Sequence, residues 1–319
     1  MTSGAGPFVR DDVRAFLEFL NAQPGPKMHE LDPASARMMM GAMRSVADAD
    51  PTPLAVIRDF SCPGPHGDIA LRLYDARETR EAGPAFVFFH GGGFVIGDLD
   101  THEPFCTEAA RILDMPVIAV DYRMAPEHVW PASPDDCEAA ARWVATSPAE
   151  LGRKVTALTM GGDSAGGNLA IVTAMALRDT PAAVPVIAQL PIYPATDMGT
   201  EHPSFIEFAD GYLLTRDGME WFGMHYAADL THHRASPALF DQHGMPPAVV
   251  VTASLDPIRD QGRLYAQTLA RAGIDHEFME MKGTIHGFIC LRKGIPSAND
   301  DVERLLRAFR GLVDRQIAG

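Results

Sequence analysis

Cysteine is scarce in this chain of 319 residues. Cys62, Cys106, Cys137 and Cys290 are scattered without paired spacing, which excludes a disulfide framework and points to free thiols in a reducing compartment. The residues after Met1 lack the charged-then-apolar layout of a signal peptide. No apolar run approaches the ~20 residues that span a bilayer, so the expected location is the cytoplasm. There is no Lys/Arg cluster, and a formal net charge of −15 argues against nucleic acid or an anionic membrane surface as partner. Neither G-x-G-x-x-G nor Gly-Lys-Ser/Thr appears, so the glycine-rich segments are not phosphate loops. His225, His232, His233 and His243 cluster, but no H-x-x-x-H helix or Cys/His ligand set accompanies them, and no metal is expected. Repeats and low-complexity tracts are absent.

What the chain does have is apolar residues, 46% of the total, enough for the core of one large α/β domain. Its most informative stretch is Gly162-Asp163-Ser164-Ala165-Gly166. Val155 to Met160 reads as a buried strand, and Ala165 to Leu177 as a helix. A serine at such a strand-to-helix turn is forced into a strained conformation, with its hydroxyl exposed at the top of the sheet. Glycines two positions either side are needed because a side chain there would meet the neighbouring strand or helix. That is the setting of a nucleophile.

A nucleophilic serine needs a base, and the base needs an orienting acid. Ala248 to Ala253 is a β-branched run that ends at Ser254-Leu255-Asp256-Pro257, placing Asp256 on a loop at a strand end. His276 to Met281 leads into Gly283-Thr284-Ile285-His286, placing His286 at the same edge. Loops after the carboxyl ends of parallel strands converge on one crevice, so Ser164, Asp256 and His286 are expected to meet there. His286 would take the serine proton, and Asp256 would hold the imidazole in one tautomer. Asp260, one helical turn further on, is the rival acid. Phe86 to Phe89 is another buried strand, ending in His90-Gly91-Gly92-Gly93-Phe94. Three consecutive glycines let the backbone turn its N–H groups inward, and Gly92, Gly93 and Ala165 are the expected donors to an oxyanion. His90 reads as a scaffold residue that holds the loop by a hydrogen bond.

Along the chain, Asp11 to Leu20 is a predicted helix with Val13, Phe16, Leu17 and Leu20 on one face. Asp32-Pro33 opens a second, which contains Met38, Met39, Met40, Met43 and Val46. Two helices ahead of any strand stand outside βα alternation and are expected to lie over the crevice as a lid. Their methionines read as core filler, with a flexible apolar pocket wall as the alternative. Leu54 to Phe60 and Ile69 to Tyr74 should form an antiparallel hairpin at the sheet edge. Helices are predicted at Pro134 to Val144, Arg259 to Ala272 and Asp300 to Val313, and a further strand at Pro185 to Leu190. Alternation fails between Tyr193-Pro194 and Ala248. The domain reading is therefore residues 1–50 as the first part of a helical cap and 51–319 as the catalytic domain, with a cap insertion at about 197–235. Phe94, Tyr193, Phe205 and Tyr212 are the candidate pocket lining.

His90-Gly-Gly-Gly-Phe94, Asp121-Tyr-Arg-Met-Ala-Pro-Glu127, Gly162-Asp-Ser-Ala-Gly-Gly167, Asp256-Pro-Ile-Arg-Asp260 and His286-Gly-Phe288 together resemble the bacterial hormone-sensitive-lipase-like esterases. The resemblance runs in order over nearly the whole chain. It implies an α/β-hydrolase fold, a mostly parallel central sheet flanked by helices with a helical cap. It also implies a Ser164–Asp256–His286 triad, an oxyanion hole at Gly92, Gly93 and Ala165, and cis peptide bonds before Pro126 and Pro131. The expected activity is that of a serine carboxylesterase on short- to medium-chain acyl esters, with a small-molecule ester as partner and no cofactor. Dimerisation through the last sheet edge and the C-terminal helix is implied in the same way. Met124 stands where leucine is usual and Gln261 where an acid is common. Two alternatives stay open: a ligand-binding receptor on an inactive hydrolase scaffold, and an amidase or lyase using the same residues.

Overall fold

The computed structural model describes residues 6–318. The chain opens with two helices, α1 (Asp11–Asn21) and α2 (Pro33–Ala47). Asp32 caps α2 by accepting the Ser35 amide at 3.0 Å, and Pro33 occupies the first helical position. The hairpin expected at the sheet edge follows as β1 (Val56–Gly64) and β2 (Gly67–Asp75), with Gly64 paired to Gly67 across the turn. β1 continues through Pro63, which an edge strand tolerates because its missing N–H need not face a neighbour.

The remaining strands are β3 (Gly83–Phe89), β4 (Val117–Asp121), β5 (Val155–Asp163), β6 (Val186–Ile192), β7 (Ala248–Leu255) and β8 (His276–Ile285). Between and after them come α3 (Glu103–Leu113), α4 (Ala132–Ala145), α5 (Ala165–Asp179), α6 (Pro203–Glu207), α7 (Arg216–Tyr226), α8 (Arg259–Arg271) and α9 (Ala298–Ala318). The sheet order is β1-β2-β4-β3-β5-β6-β7-β8. β2 is antiparallel to both its neighbours, and every other pairing is parallel. Peptide bonds Ala125–Pro126 and Trp130–Pro131 are cis.

Side chains alternate across a strand, so a continuous apolar run buries both faces. Phe86 and Phe88 of β3 join a core under α1, α3 and α9, whereas Val87 and Phe89 join one under α4, α5 and α8. Loops at the carboxyl ends of β3, β5, β7 and β8 thereby open on one side, and these carry the candidate site residues.

The first two helices are held differently from each other. α1 inserts Val13, Phe16 and Leu17 into the core beside α9. In α2 only Ala36 and Ala47 are buried, while Met38 is 70% and Val46 63% exposed. Met40 and Met43 pack half-buried against the two cores, as filler would, whereas Met38 does not, and polar contacts add to the hold on this helix. Arg37 donates to the carbonyls of Val95 and Ala125 at 2.8 and 2.9 Å, and pairs with Glu127. The Ala47 carbonyl accepts the amides of Lys293 and Gly294, and buried Asp48 meets buried Arg292 at 3.2 Å. The chain from 197 to 247 holds α6 and α7, with Trp221 and Tyr226 as buried anchors. Among the described residues no helix is long and apolar enough to cross a membrane.

Candidate active site

β5 ends at Asp163 and α5 begins at Ala165, so Ser164 alone makes the turn. Its backbone adopts φ 55° and ψ −118°, a conformation that costs a non-glycine residue on the order of 1–3 kcal/mol. The turn is held by the Ser164 amide, which donates to the Ile192 carbonyl at 2.8 Å. The two flanking glycines are steric necessities. A Cβ at Gly162 would lie 2.3 Å from the Gly166 carbonyl oxygen, and one at Gly166 would lie 1.9 Å from that of Phe89.

Asp256 directly follows β7 and His286 directly follows β8. His286 Nε2 lies 2.8 Å from Ser164 Oγ, and His286 Nδ1 lies 2.7 Å from Asp256 Oδ2. A carboxylate only accepts, so Nδ1 carries the proton and Nε2 presents a lone pair to the serine hydroxyl. Asp256 is fully buried, and its other oxygen accepts the Ile258 amide at 2.9 Å, which fixes the carboxylate plane. Asp260, the rival acid, is committed elsewhere: it accepts the Ser204 amide at 2.9 Å and pairs with Arg259 and Arg263.

The glycine loop after β3 needs its lack of side chains. Gly92 and Gly93 have φ of 119° and 60°, and a Cβ on Gly92 would lie 2.0 Å from the Ile96 carbonyl oxygen. The Gly92 carbonyl accepts the amides of Val95 and Ile96, folding the loop back on itself. Among the described residues, the amides of Gly92, Gly93 and Ala165 donate to no protein acceptor. His90 is part of the scaffold: its Nδ1–H donates to the Gly91 carbonyl at 2.8 Å, and its ring stacks on Tyr122. Burial, aided by the neighbouring His102, pushes its pKa down to about 4.

Around this centre the aromatic candidates fall into two groups. Tyr193 is fully buried and packs against His286 with ring centres 4.5 Å apart; Phe94 is stacked on Tyr226 at 3.8 Å. Phe205 lies under the Arg216 guanidinium, and Tyr212 stands edge-on to Phe208. Of these four, Tyr193 alone makes a ring contact with His286. Sequence reasoning missed Phe222 of α7, whose ring a Cβ on Gly93 would strike at 2.3 Å. Only its place in an aromatic cluster hinted at it. It also passed over Asp163 and His102, which pair behind the glycine loop. Gln261 accepts the Thr196 and Asp197 amides with one oxygen, a task an acid would perform equally well. Among the described residues the clustered histidines do not gather with other ligands into a group able to hold a metal ion.

Comparison with known proteins agrees with this fold. Residues 86–290 match the model of a family described as having the alpha/beta hydrolase fold. Carboxylesterase NlhH of Mycobacterium tuberculosis is 38% identical over 250 residues, which cover 76% of this chain and 78% of the relative. The ethyl acetate hydrolase of Pseudomonas putida is 32% identical over 313 residues, 95% and 98% of the two chains. Among solved structures, an alpha/beta hydrolase from the metagenome of Lake Arreo superposes with a TM-score of 0.90 at 36% identity, covering 95% and 98%. The esterase of the archaeon Pyrobaculum calidifontis does so with 0.88 at 34% identity, also covering 95% and 98%. With the family model spanning well over half its length, the chain belongs to the hormone-sensitive-lipase-like esterases of the α/β-hydrolase fold, a family of carboxylic ester hydrolases.

Proposed function

We propose that this protein is a serine carboxylesterase that cleaves short- to medium-chain acyl esters through an acyl-enzyme on Ser164. The observation that carries the reading is the continuous hydrogen-bonded line from Ser164 through His286 to Asp256, at 2.8 and 2.7 Å. His286 Nε2 takes the serine proton as Oγ attacks the ester carbonyl. Negative charge gathers on the carbonyl oxygen, where the amides of Gly92, Gly93 and Ala165 receive it. Each such donor is worth about 2.7–4 kcal/mol of transition-state stabilisation. The imidazolium, stabilised by Asp256, protonates the leaving alcohol. Water activated by the same imidazole then attacks the acyl-enzyme, and the acid departs as Ser164 regains its proton. The sequence of steps closes without a cofactor.

Residues 1–50 and the 197–235 insertion act in this reading as a two-part cap over the crevice. The ring of Phe222 resting against Gly93 supports a confined acyl site, and so favours the shorter esters. The test is hydrolysis of p-nitrophenyl esters from acetate to palmitate by wild type and Ser164→Ala, with a matching amide alongside. Turnover that peaks at short chains, vanishes in the mutant and is far slower on the amide is the expected result. Wild-type hydrolysis no faster than that of Ser164→Ala on every ester rejects the proposal.

A further inference from the structure

Two buried histidines, His90 and His102, stand behind the glycine loop with ring centres 5.5 Å apart. Their hydrogen-bond partners differ. His90 is the neutral scaffold residue described above. His102 directs Nε2 at Asp163 Oδ1, 3.3 Å away; a carboxylate only accepts, so Nε2 carries a proton. Its Nδ1 lies 3.0 Å from Thr101 Oγ1. That hydroxyl accepts the Asp98 amide and has the Asp98 carbonyl, at 2.9 Å, as an acceptor for its single proton. A proton spent on that carbonyl leaves a lone pair facing His102, and Nδ1 then carries a proton as well. In that arrangement both nitrogens are protonated and the ring is a cation.

The electrostatic surroundings agree. Burial works against charge on His102, yet the Cys290 side chain and then the adjoining Asp163 carboxylate outweigh it and hold the imidazole pKa above its ordinary value. Burial likewise opposes the Asp163 anion, and His102 with the Gly91 amide brings it below the usual range. The other titratable groups facing His102 are His90 and the Cys290 thiol, which burial pushes up. His102 in turn favours the Cys290 thiolate, against burial.

Asp163 meets every working part of the site. It immediately precedes Ser164; its Oδ1 accepts the Gly91 amide of the glycine loop at 2.8 Å. Its Oδ2 lies 3.4 Å from the hydroxyl of Tyr193, whose ring packs on His286. The carboxylate is well placed to hold these parts in register. Its charge is badly placed, because an anion one residue from the nucleophile opposes the negative charge that develops on the carbonyl oxygen.

We propose that His102 and Asp163 form a charge-compensated positioning pair: Asp163 ties the glycine loop to the nucleophile turn, and His102 cancels the charge that this tie would otherwise set beside the oxyanion. The inference rests on the reading of Ser164 as nucleophile. Neither residue touches substrate.

The experiment compares wild type, Ser164→Ala, His102→Gln and the double variant His102→Gln with Asp163→Asn on p-nitrophenyl butyrate. His102→Gln should lower kcat by about 10- to 100-fold with KM within about twofold, less than the ~10²–10³ lost with an oxyanion donor itself. Adding Asp163→Asn should restore kcat by about tenfold, because asparagine still accepts the Gly91 amide without the uncompensated charge. Losses that simply add, or wild-type kcat in His102→Gln, overturn the pair. If the variants do not fold, NMR of the wild type labelled at histidine nitrogens decides: an imidazolium at neutral pH is expected for His102, and a neutral ring overturns the proposal. Wild-type hydrolysis no faster than Ser164→Ala rejects the esterase reading instead, an outcome separate from all of these.

Discussion

α2 and α5 are both fifteen residues long, and they are held to the molecule by opposite means. α5 buries twelve of its residues between β5, β6 and α4, and approaches the end of β3 so closely that Gly166 has no room for a methyl group. α2 buries two, and is fastened by Arg37 near its start and by Ala47 and Asp48 at its end. Dispersion and apolar burial are spread over many contacts, so the first helix keeps its place when one contact is lost. Directional polar contacts are few and separable, so the second can be released at one end while the other holds. The part of the site that must be rigid is built the first way. The part proposed to cover it is built the second.

The same change made in the two helices should separate them most sharply. Gly166→Ala pushes a methyl group into the Phe89 carbonyl and should cost more than about 4 kcal/mol, seen as loss of soluble, cooperatively melting protein. Breaking the clamp of α2 comes next. Arg292→Met strands the buried Asp48 carboxylate, whose pKa burial already raises, and should cost about 3–5 kcal/mol in urea unfolding. Asp48→Asn in the same chain should return part of that loss. Phe222→Ala removes a half-buried ring that packs against Trp221 and the core, and should cost about 1–2 kcal/mol. It should raise the octanoate-to-acetate ratio of kcat/KM about tenfold, within the ~1–3 kcal/mol by which an apolar pocket discriminates.

Two smaller effects complete the series. Asp121, at the end of β4, has its carboxyl pushed up to about 6, mainly by burial and then by Asp98. Between its ordinary 3.8 and about 6 the folded chain holds this proton and the unfolded chain does not. The folded state thus binds more protons, and stability falls as pH rises through that window. Asp121→Asn should therefore raise stability above it by about 1–2 kcal/mol, with the gain fading in acid, as thermal melts at the two pH extremes would record. Last, Gly41→Ala in α2 meets nothing within 4 Å. It should stabilise by about 0.4–1 kcal/mol, the reverse of its counterpart in α5.

The meeting of Ser164, Asp256 and His286 was readable because each sits where a continuous apolar strand stops, and such strands announce both themselves and their ends. The glycines were readable because only backbone crowding demands them at that spacing. The edge hairpin followed from a turn too short for a helix. The exposure of α2 was not readable: methionine reports apolar character, whereas this helix is placed by Arg37, Asp48 and their distant partners Val95, Ala125 and Arg292. His102 and Asp163 are far apart in the chain, and nothing in the neighbourhood of either announces the other. Likewise, no run of basic residues exists, yet the fold brings Arg77, Arg80, Arg153 and Lys154 to one cleft at the opposite end of β3 and β5, with Asp114 among them. Charge gathered by folding leaves no trace in a linear scan.

The Phe89 carbonyl presses on both Gly162 and Gly166. The end of β3, which leads into the glycine loop, and the turn that carries Ser164 therefore interlock as a single part without a hinge between them. Spacing between the Ser164 hydroxyl and the proposed amide donors is then a constant of the sheet, not a variable of loop motion. In the proposed reading a substrate of unaccustomed size is accommodated on the α7 side, where Phe222 meets Gly93. Directed change of what the enzyme accepts should accordingly accumulate between residues 197 and 247 and leave the strand ends untouched.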